Sequence, residues 1–379
     1  MARSSSTPHG LLITIIFCST LILSINTSEG IVERPRSKPF DRPPLPLILP
    51  HEAAYQAISN PAPEFKPSSQ VSPTATLLGT KPQGDPRLYQ YAQLGNGLKV
   101  VNIYDPGTTQ AAFAVAVTAG SFYDYNVSEA TKHFFGLAHL TEHSLFLGTK
   151  HFPARSGFDR FLAAHGGSSN AYTAEETTVY FGDLSSQAFE EGLKRFSDFF
   201  GAPNLNADAI WGEVNAVNSE HSKNRQSLSW QMSRVMLSLA NPDSPLQWFH
   251  TGDGKTLRQG GKEELVGAIR HYFDKNYCPP RMNVVTIGLD PLPIQLANVT
   301  AFFGDIPQKG AAGICDPSPH DFLNPKPFRE PLLKQFLHVS GGWPQLWILF
   351  PLESLKPQHK SHPILYIKYL MSYGGKNSL

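Results

Sequence analysis

The chain has 379 residues, a formal net charge of +1, 17% charged and 41% hydrophobic residues, which is enough to build two or three folded domains. The charge is balanced, no basic run is present, and the three cysteines have no zinc-finger or knuckle spacing, so nothing points to nucleic acid. The aromatic residues are scattered as core residues would be, which argues against a disordered chain.

After Arg3 comes Leu11 to Leu23, "LLITIIFCSTLIL", broken only by Thr14, Ser19 and Thr20 among its polar types. It falls short of the ~20 apolar residues that span a bilayer and has the length of a signal-peptide core. Small residues follow in "SINTSEG". Residues 1–28 are therefore expected to be a signal peptide leading to the secretory pathway, with an uncleaved signal anchor as the competing reading and no stable membrane span. Sequons at Asn126 and Asn298 fit that route. Removal of the signal takes Cys18 away and leaves Cys278 and Cys315, which could pair in an oxidising compartment; two cysteines alone do not decide it.

Residues 29–88 differ in character. Between Ile31 and Leu88 lie 12 prolines, some in "RPPLPLILP", and only "HEAAYQAIS" reads as helix. Proline at this density fixes φ and removes backbone donors, so a largely irregular linker or propeptide is expected.

Regular patterning begins at Gly95. "NGLKVVNIYD" reads as a turn and a strand, and "QAAFAVAVTAGS" alternates as the neighbouring strand would. Next comes "GLAHLTEHSLFLGT", read as a helix with Gly148 as its left-handed end. At 3.6 residues per turn His139, Glu142 and His143 share one face. Two imidazoles one turn apart can hold a metal ion, and a carboxylate beside them can move a proton. The order H-x-x-E-H is the inverse of the commoner H-E-x-x-H zinc-peptidase motif. The alternative is a satisfied histidine pair in a buried helix.

A helix at "SGFDRFLAAHGG" follows, then a strand at "SSNAYTAEETTVYFGDL" and an amphipathic helix over "QAFEEGLKRFSDFFGAP". Another helix runs from about Ala207 through "AIWGEVNAVNSEHSKNRQ". Strand pairs joined to packed helices imply an α+β fold, a two-layer sandwich of mainly antiparallel sheet with helices on one face. Catalytic zinc takes three protein ligands and keeps a fourth position for water. Glu213 and Glu220, two helical turns apart, lie on one face with Val217 near it between them, and either could complete the site. A solvated acidic stripe is the alternative reading of these two residues.

Taken together, "NGLKV", "GLAHLTEHSLFLGTKHFP", "HGGSSNAYTAEETTVYF", "EVNAVNSEHSKN" and "YCPPRMNVVTIG" resemble the insulinase/pitrilysin family of zinc metallopeptidases, and within it the insulin-degrading-enzyme-like subgroup. The resemblance implies the sandwich of pitrilysin and the mitochondrial processing peptidases, with an N-terminal zinc peptidase domain over 89–315 and the start of a second, incomplete domain over 316–379. It implies one zinc ion per chain held by His139, His143 and Glu220. Glu142 would be the general base, and Glu213 would orient a ligand from outside the metal's own shell. Asn170, Ala171, Tyr172 and Thr173 would bind substrate as an edge strand.

The implied reaction is metalloendopeptidase cleavage of peptide substrates. Ser144 stands where relatives often carry methionine, Asp253 where the subgroup has asparagine, and the link from Ser121 to Gly136 is longer than usual. Full-length relatives add a far half with a transition-state arginine and tyrosine, to which nothing here can be matched. The expectation is therefore a truncated gene model, a half that needs a C-terminal half or a second copy as partner, or a non-catalytic zinc-binding subunit.

Overall fold

The computed structural model describes residues 10–18, 20–28, 74–126, 134–318, 320, 322, 326–328, 345–351, 355, 360–361 and 363–372. The expected linker lies outside them up to residue 73, as does most of the Asn126 sequon. The chain divides into two compact units, one formed by Met1–Pro46 with Glu330–Leu379 and the other by Leu47–Arg329. In the first, β1 (Gly10–Cys18), β2 (Thr20–Ser28) and β10 (Gln345–Pro351) form an antiparallel sheet in the order β1-β2-β10. The apolar run expected to be a signal core thus appears as two strands. Among the described residues no helix is long and apolar enough to cross a membrane.

The larger unit carries a seven-stranded sheet in the order β3-β4-β5-β9-β6-β8-β7. Its strands are β3 (Thr74–Leu77), β4 (Leu88–Gln93), β5 (Lys99–Tyr104), β6 (Gln110–Val117), β7 (Ser168–Thr173), β8 (Thr178–Ser185) and β9 (Met282–Gly288). Every neighbouring pair is antiparallel except β5 and β9. This is the α+β sandwich that the strand and helix patterns imply.

Alternation explains which way each strand faces. On β6, Ala111, Phe113, Val115 and Val117 are buried; Val100 of β5, Val284 of β9, and Tyr180 and Leu184 of β8 join them. Helical side chains close the core from one face, including Leu140, Phe189, Leu193, Phe196, Ile269, Tyr272, Val299 and Phe303. Phe113 stacks on Phe196 with ring centroids 4.5 Å apart. At roughly 1.5–3 kcal/mol per fully buried large apolar side chain, this layer is the main source of the unit's stability.

Three local expectations change. β6 does not lie beside β5, because β9 enters between them, parallel to β5 and antiparallel to β6. Local alternation identifies a strand but carries no information about a partner that arrives from far along the chain. The stretch from Ser168 to Leu184 is a hairpin, not one strand: Ala174 N–H donates to the Thr177 carbonyl at 2.8 Å and reverses the chain between β7 and β8. The motif helix ends at Leu145, where Phe146 in right-handed geometry donates its N–H to the His143 carbonyl and Leu147 donates to that of Ser144, both at 3.2 Å. Gly148 (φ 118°) lies beyond the end and packs on Pro153.

Candidate metal centre

The motif helix, Leu137–Leu145, starts at Gly136 in left-handed geometry (φ 89°). A side chain there would not fit, because a Cβ on Gly136 would lie 2.3 Å from Gly252 Cα. With no cap of its own, the helix takes one from upstream. The Asp124 carboxylate accepts from the N–H groups of Gly136, Leu137 and Ala138 at 2.9, 3.2 and 2.8 Å. Such a carboxylate satisfies orphan donors and suits the positive end of the helix dipole. Burial pushes the Asp124 pKa up to about 7, against the pull of those three N–H groups.

The helix buries Leu137, Leu140 and Leu145, turns His139 and His143 toward a second helix, Ala207–Asn224, and gives Glu142 to β7. That helix is capped by the Asn206 side chain and held by the buried Ile210, Val214 and Val217. Two polar residues inside the motif helix are satisfied within it: Thr141 donates to the Leu137 carbonyl and Ser144 to that of Leu140. Serine in place of methionine at 144 is thereby accommodated.

Both imidazoles are oriented from behind. His139 Nδ1 lies 2.9 Å from the Thr251 carbonyl, which can only accept, so Nδ1 carries the hydrogen. His143 Nδ1 lies 3.1 Å from Glu213 Oε1. Each ring therefore presents Nε2 forward, and both Nε2 atoms face one carboxylate oxygen. Glu220 Oε2 is 3.4 Å from His139 Nε2 and 3.6 Å from His143 Nε2. Ligand atoms of the three residues all lie within 4.8 Å of one another. Two ligands about 2.0–2.1 Å from a tetrahedral zinc ion stand about 3.3–3.4 Å apart, close to the two Glu220–imidazole distances, and two imidazoles with a carboxylate are a zinc donor set.

Electrostatics follow from burial and pairing. Burial is the largest influence on His143 and disfavours its charge, yet Glu213 and Glu220 outweigh it and bring its pKa up to about 9. His139 is likewise opposed by burial and raised by Glu220. Glu220 is held far below the usual carboxylate range by His139 and His143. Glu213 is lowered chiefly by His143, with Arg155 contributing through a 2.9 Å ion pair to Oε2. Glu142 goes the other way, raised by burial, and its Oε2 accepts from the Thr173 hydroxyl at 2.6 Å. It stands outside the group of three ligand atoms.

β7 is the outer strand of its sheet and pairs only with β8 among the described strands. Of its residues, Tyr172 is 54% exposed, and Asn170 Oδ1 accepts from the Ala171 N–H. Thr173 belongs to both features, with its backbone in the edge strand and its hydroxyl on Glu142. The other histidines lie elsewhere: His151 pairs with Asp198, His165 bonds the Phe161 carbonyl, and His221 packs on Phe249. His250 packs on the Phe122 ring, and both its ring nitrogens are buried with no hydrogen-bond partner among the described residues. Asp253, where asparagine was expected, caps the Gly254–Arg258 helix in a complete capping box. Cys278 and Cys315 form a disulfide.

Sequence reasoning missed Asp124, Thr251 and Arg155. Asp124 sits inside the long link, where a lone acidic residue carries no signal. Thr251 acts through a backbone carbonyl that every residue type possesses. Arg155 reaches Glu213 from a loop remote in the chain.

Residues 99–243 match the insulinase family, peptidase family M16. Insulin-degrading enzyme-like 2 of Arabidopsis thaliana is 36% identical over 79% of this chain, and the insulin-degrading enzyme of Homo sapiens 33% identical over 79%. A Schizosaccharomyces pombe protein named for zinc protease activity is 33% identical over 78%. This chain spans about 30% of the length of these relatives. The crystal structure of pitrilysin superposes with a TM-score of 0.56 at 28% identity, covering 62% of this chain and 24% of pitrilysin.

Proposed function

Since the chain belongs to the insulinase family of peptidases, M16, we propose that it is a zinc metalloendopeptidase that hydrolyses peptide bonds in peptides or unfolded segments. The observation that carries the reading is the convergence of His139 Nε2, His143 Nε2 and Glu220 Oε2 beside a buried carboxylate that is not one of the three. Zinc, when bound there, supplies a Lewis acid that polarises a carbonyl and lowers the pKa of water towards ~7. Glu142 takes the proton of the attacking water and returns it to the leaving amine. Its burial suits the task, because a general base works best when its pKa is raised towards the operating pH. Glu213 keeps His143 in the tautomer that presents Nε2. Residues Asn170, Ala171, Tyr172 and Thr173 pair with the substrate backbone as an added strand, which reads extended conformation and tolerates many side chains.

A secretory route is part of the same reading, supported by the apolar run at 11–23 and by the disulfide. A second reading is a zinc-binding protein that cleaves only together with a C-terminal half or a second copy. One experiment tests both. Zinc content and cleavage of a quenched fluorogenic peptide are measured with and without chelator, for the native chain and Glu142→Gln. Chelator-sensitive cleavage is expected, with the variant retaining zinc and losing turnover. Zinc without cleavage supports the half-site reading, and equal loss of zinc in Glu142→Gln refutes the role of Glu142.

A further inference from the structure

We infer that Asp124 is a positioning residue for the metal centre, fixing the metal-bearing helix against the edge strand that pairs with substrate. The inference rests on His139, His143 and Glu220 being a metal site.

Asp124 is 4% exposed and lies in the short 3₁₀ helix Ser121–Asn126, which opens the long link after β6. Its carboxylate takes three successive N–H groups of the motif helix, the last from the residue before His139. The turn is itself tied to the end of β7. Ser121 N–H donates to the Ala174 carbonyl at 3.0 Å and Phe122 N–H to that of Glu175 at 2.9 Å. Gly120 is pressed so closely there that a Cβ would lie 2.1 Å from the Ala174 oxygen.

A continuous chain of contacts therefore runs from β7 through residues 174–175 and 121–122 to Asp124, and from Asp124 to the first turn of the motif helix. The loop closes at the far side, where Thr173 reaches Glu142. The same helix start abuts Gly252, whose preceding residue supplies the carbonyl that holds His139 Nδ1. A shift of the first turn would move His139 relative to Thr251 and Glu142 relative to Thr173 together. Only an acceptor with both oxygens free can hold all three donors; an amide would present N–H₂ to at least one of them.

The test uses the full chain with Asp124→Asn, and Asp124→Ser as a smaller cap able to accept. Amide exchange of Gly136 to Ala138 is followed in the metal-free proteins. Zn²⁺ affinity is measured against a chromophoric chelator, and the absorption of bound Co²⁺ reports ligand geometry. Faster exchange at these amides is expected, with zinc affinity lower by about 10-fold, the scale of losing a helix cap, and an altered Co²⁺ spectrum. Unchanged zinc affinity and Co²⁺ spectrum in folded variants would overturn the inference, leaving Asp124 a structural cap. Loss of fold in both variants would overturn it too, by making Asp124 a folding requirement. Failure of the native chain to take up Zn²⁺ or Co²⁺ would overturn the metal centre itself, a failure seen before any variant is compared.

Discussion

Replacing Glu213 or Glu220 by glutamine removes the same charge from the same helix, yet the structure assigns the two changes different costs. Glu220 Oε2 faces both Nε2 atoms, the side on which the proposed zinc ion would sit. Glu213 Oε1 faces His143 Nδ1, the opposite side of the ring, while its Oε2 takes Arg155 at 2.9 Å. In Glu213→Gln one amide oxygen must choose between the imidazole and the guanidinium, because the N–H₂ that faces the other is a donor against a donor. A charge-assisted bond of about 1.5–3 kcal/mol is thus replaced by a neutral bond of about half that strength or by none. Zinc affinity should fall roughly 10–100-fold, about 1.4–2.8 kcal/mol, with one ion still bound at saturation. Glu220→Gln removes a first-coordination oxygen from a site of three protein ligands and should abolish tight binding. Competition titration with a chromophoric chelator measures both. A reversed order would make Glu213 the ligand and refute the tautomer argument; unchanged affinity in both variants would remove this helix from the site.

The metal-free cluster predicts a pH signature. His143 is raised from 6.5 to about 9, so its contribution is fully present below 6.5 and is lost as pH rises through 9. Glu213 and Glu220 are lowered from 4.5, so theirs is present above that value and is lost on acidification. Calorimetry should show the melting temperature of the metal-free protein falling between pH 6.5 and 9, while zinc affinity rises over the same interval because the ion displaces His143's proton; zinc affinity that is flat in pH would contradict this. The disulfide closes a loop with a sequence separation of 37, and loop entropy of that size corresponds to about 4 kcal/mol. The double variant Cys278→Ala/Cys315→Ala should lose roughly that much stability in urea unfolding, and a loss under 1 kcal/mol would count against the bond.

The α+β class and the helix that carries His139, Glu142 and His143 were legible because both depend on periodicity. Phe189, Leu193, Phe196 and Phe200 recur at helical spacing and are buried together, and alternation marked β6 before any partner was known. Glu213 and Glu220 were legible as a pair on one helical face. What each does was not: the choice depends on which imidazole nitrogen each one meets, and that is decided by where a second helix lies in space.

What the sequence determined alone is the chemistry available to this protein: two imidazoles and two kinds of carboxylate, placed by helical geometry on facing sides of their own helices. Backbone periodicity is a local property, so it survives in a one-dimensional record. The tertiary structure decided the arrangement. It inserted β9 between β5 and β6, left β7 at the edge, and brought the Thr251 carbonyl to His139 and the Asp124 carboxylate to the helix start. Those contacts join residues distant in the chain through backbone groups and buried charges, and their strength lies in distance and desolvation, which only the folded packing sets.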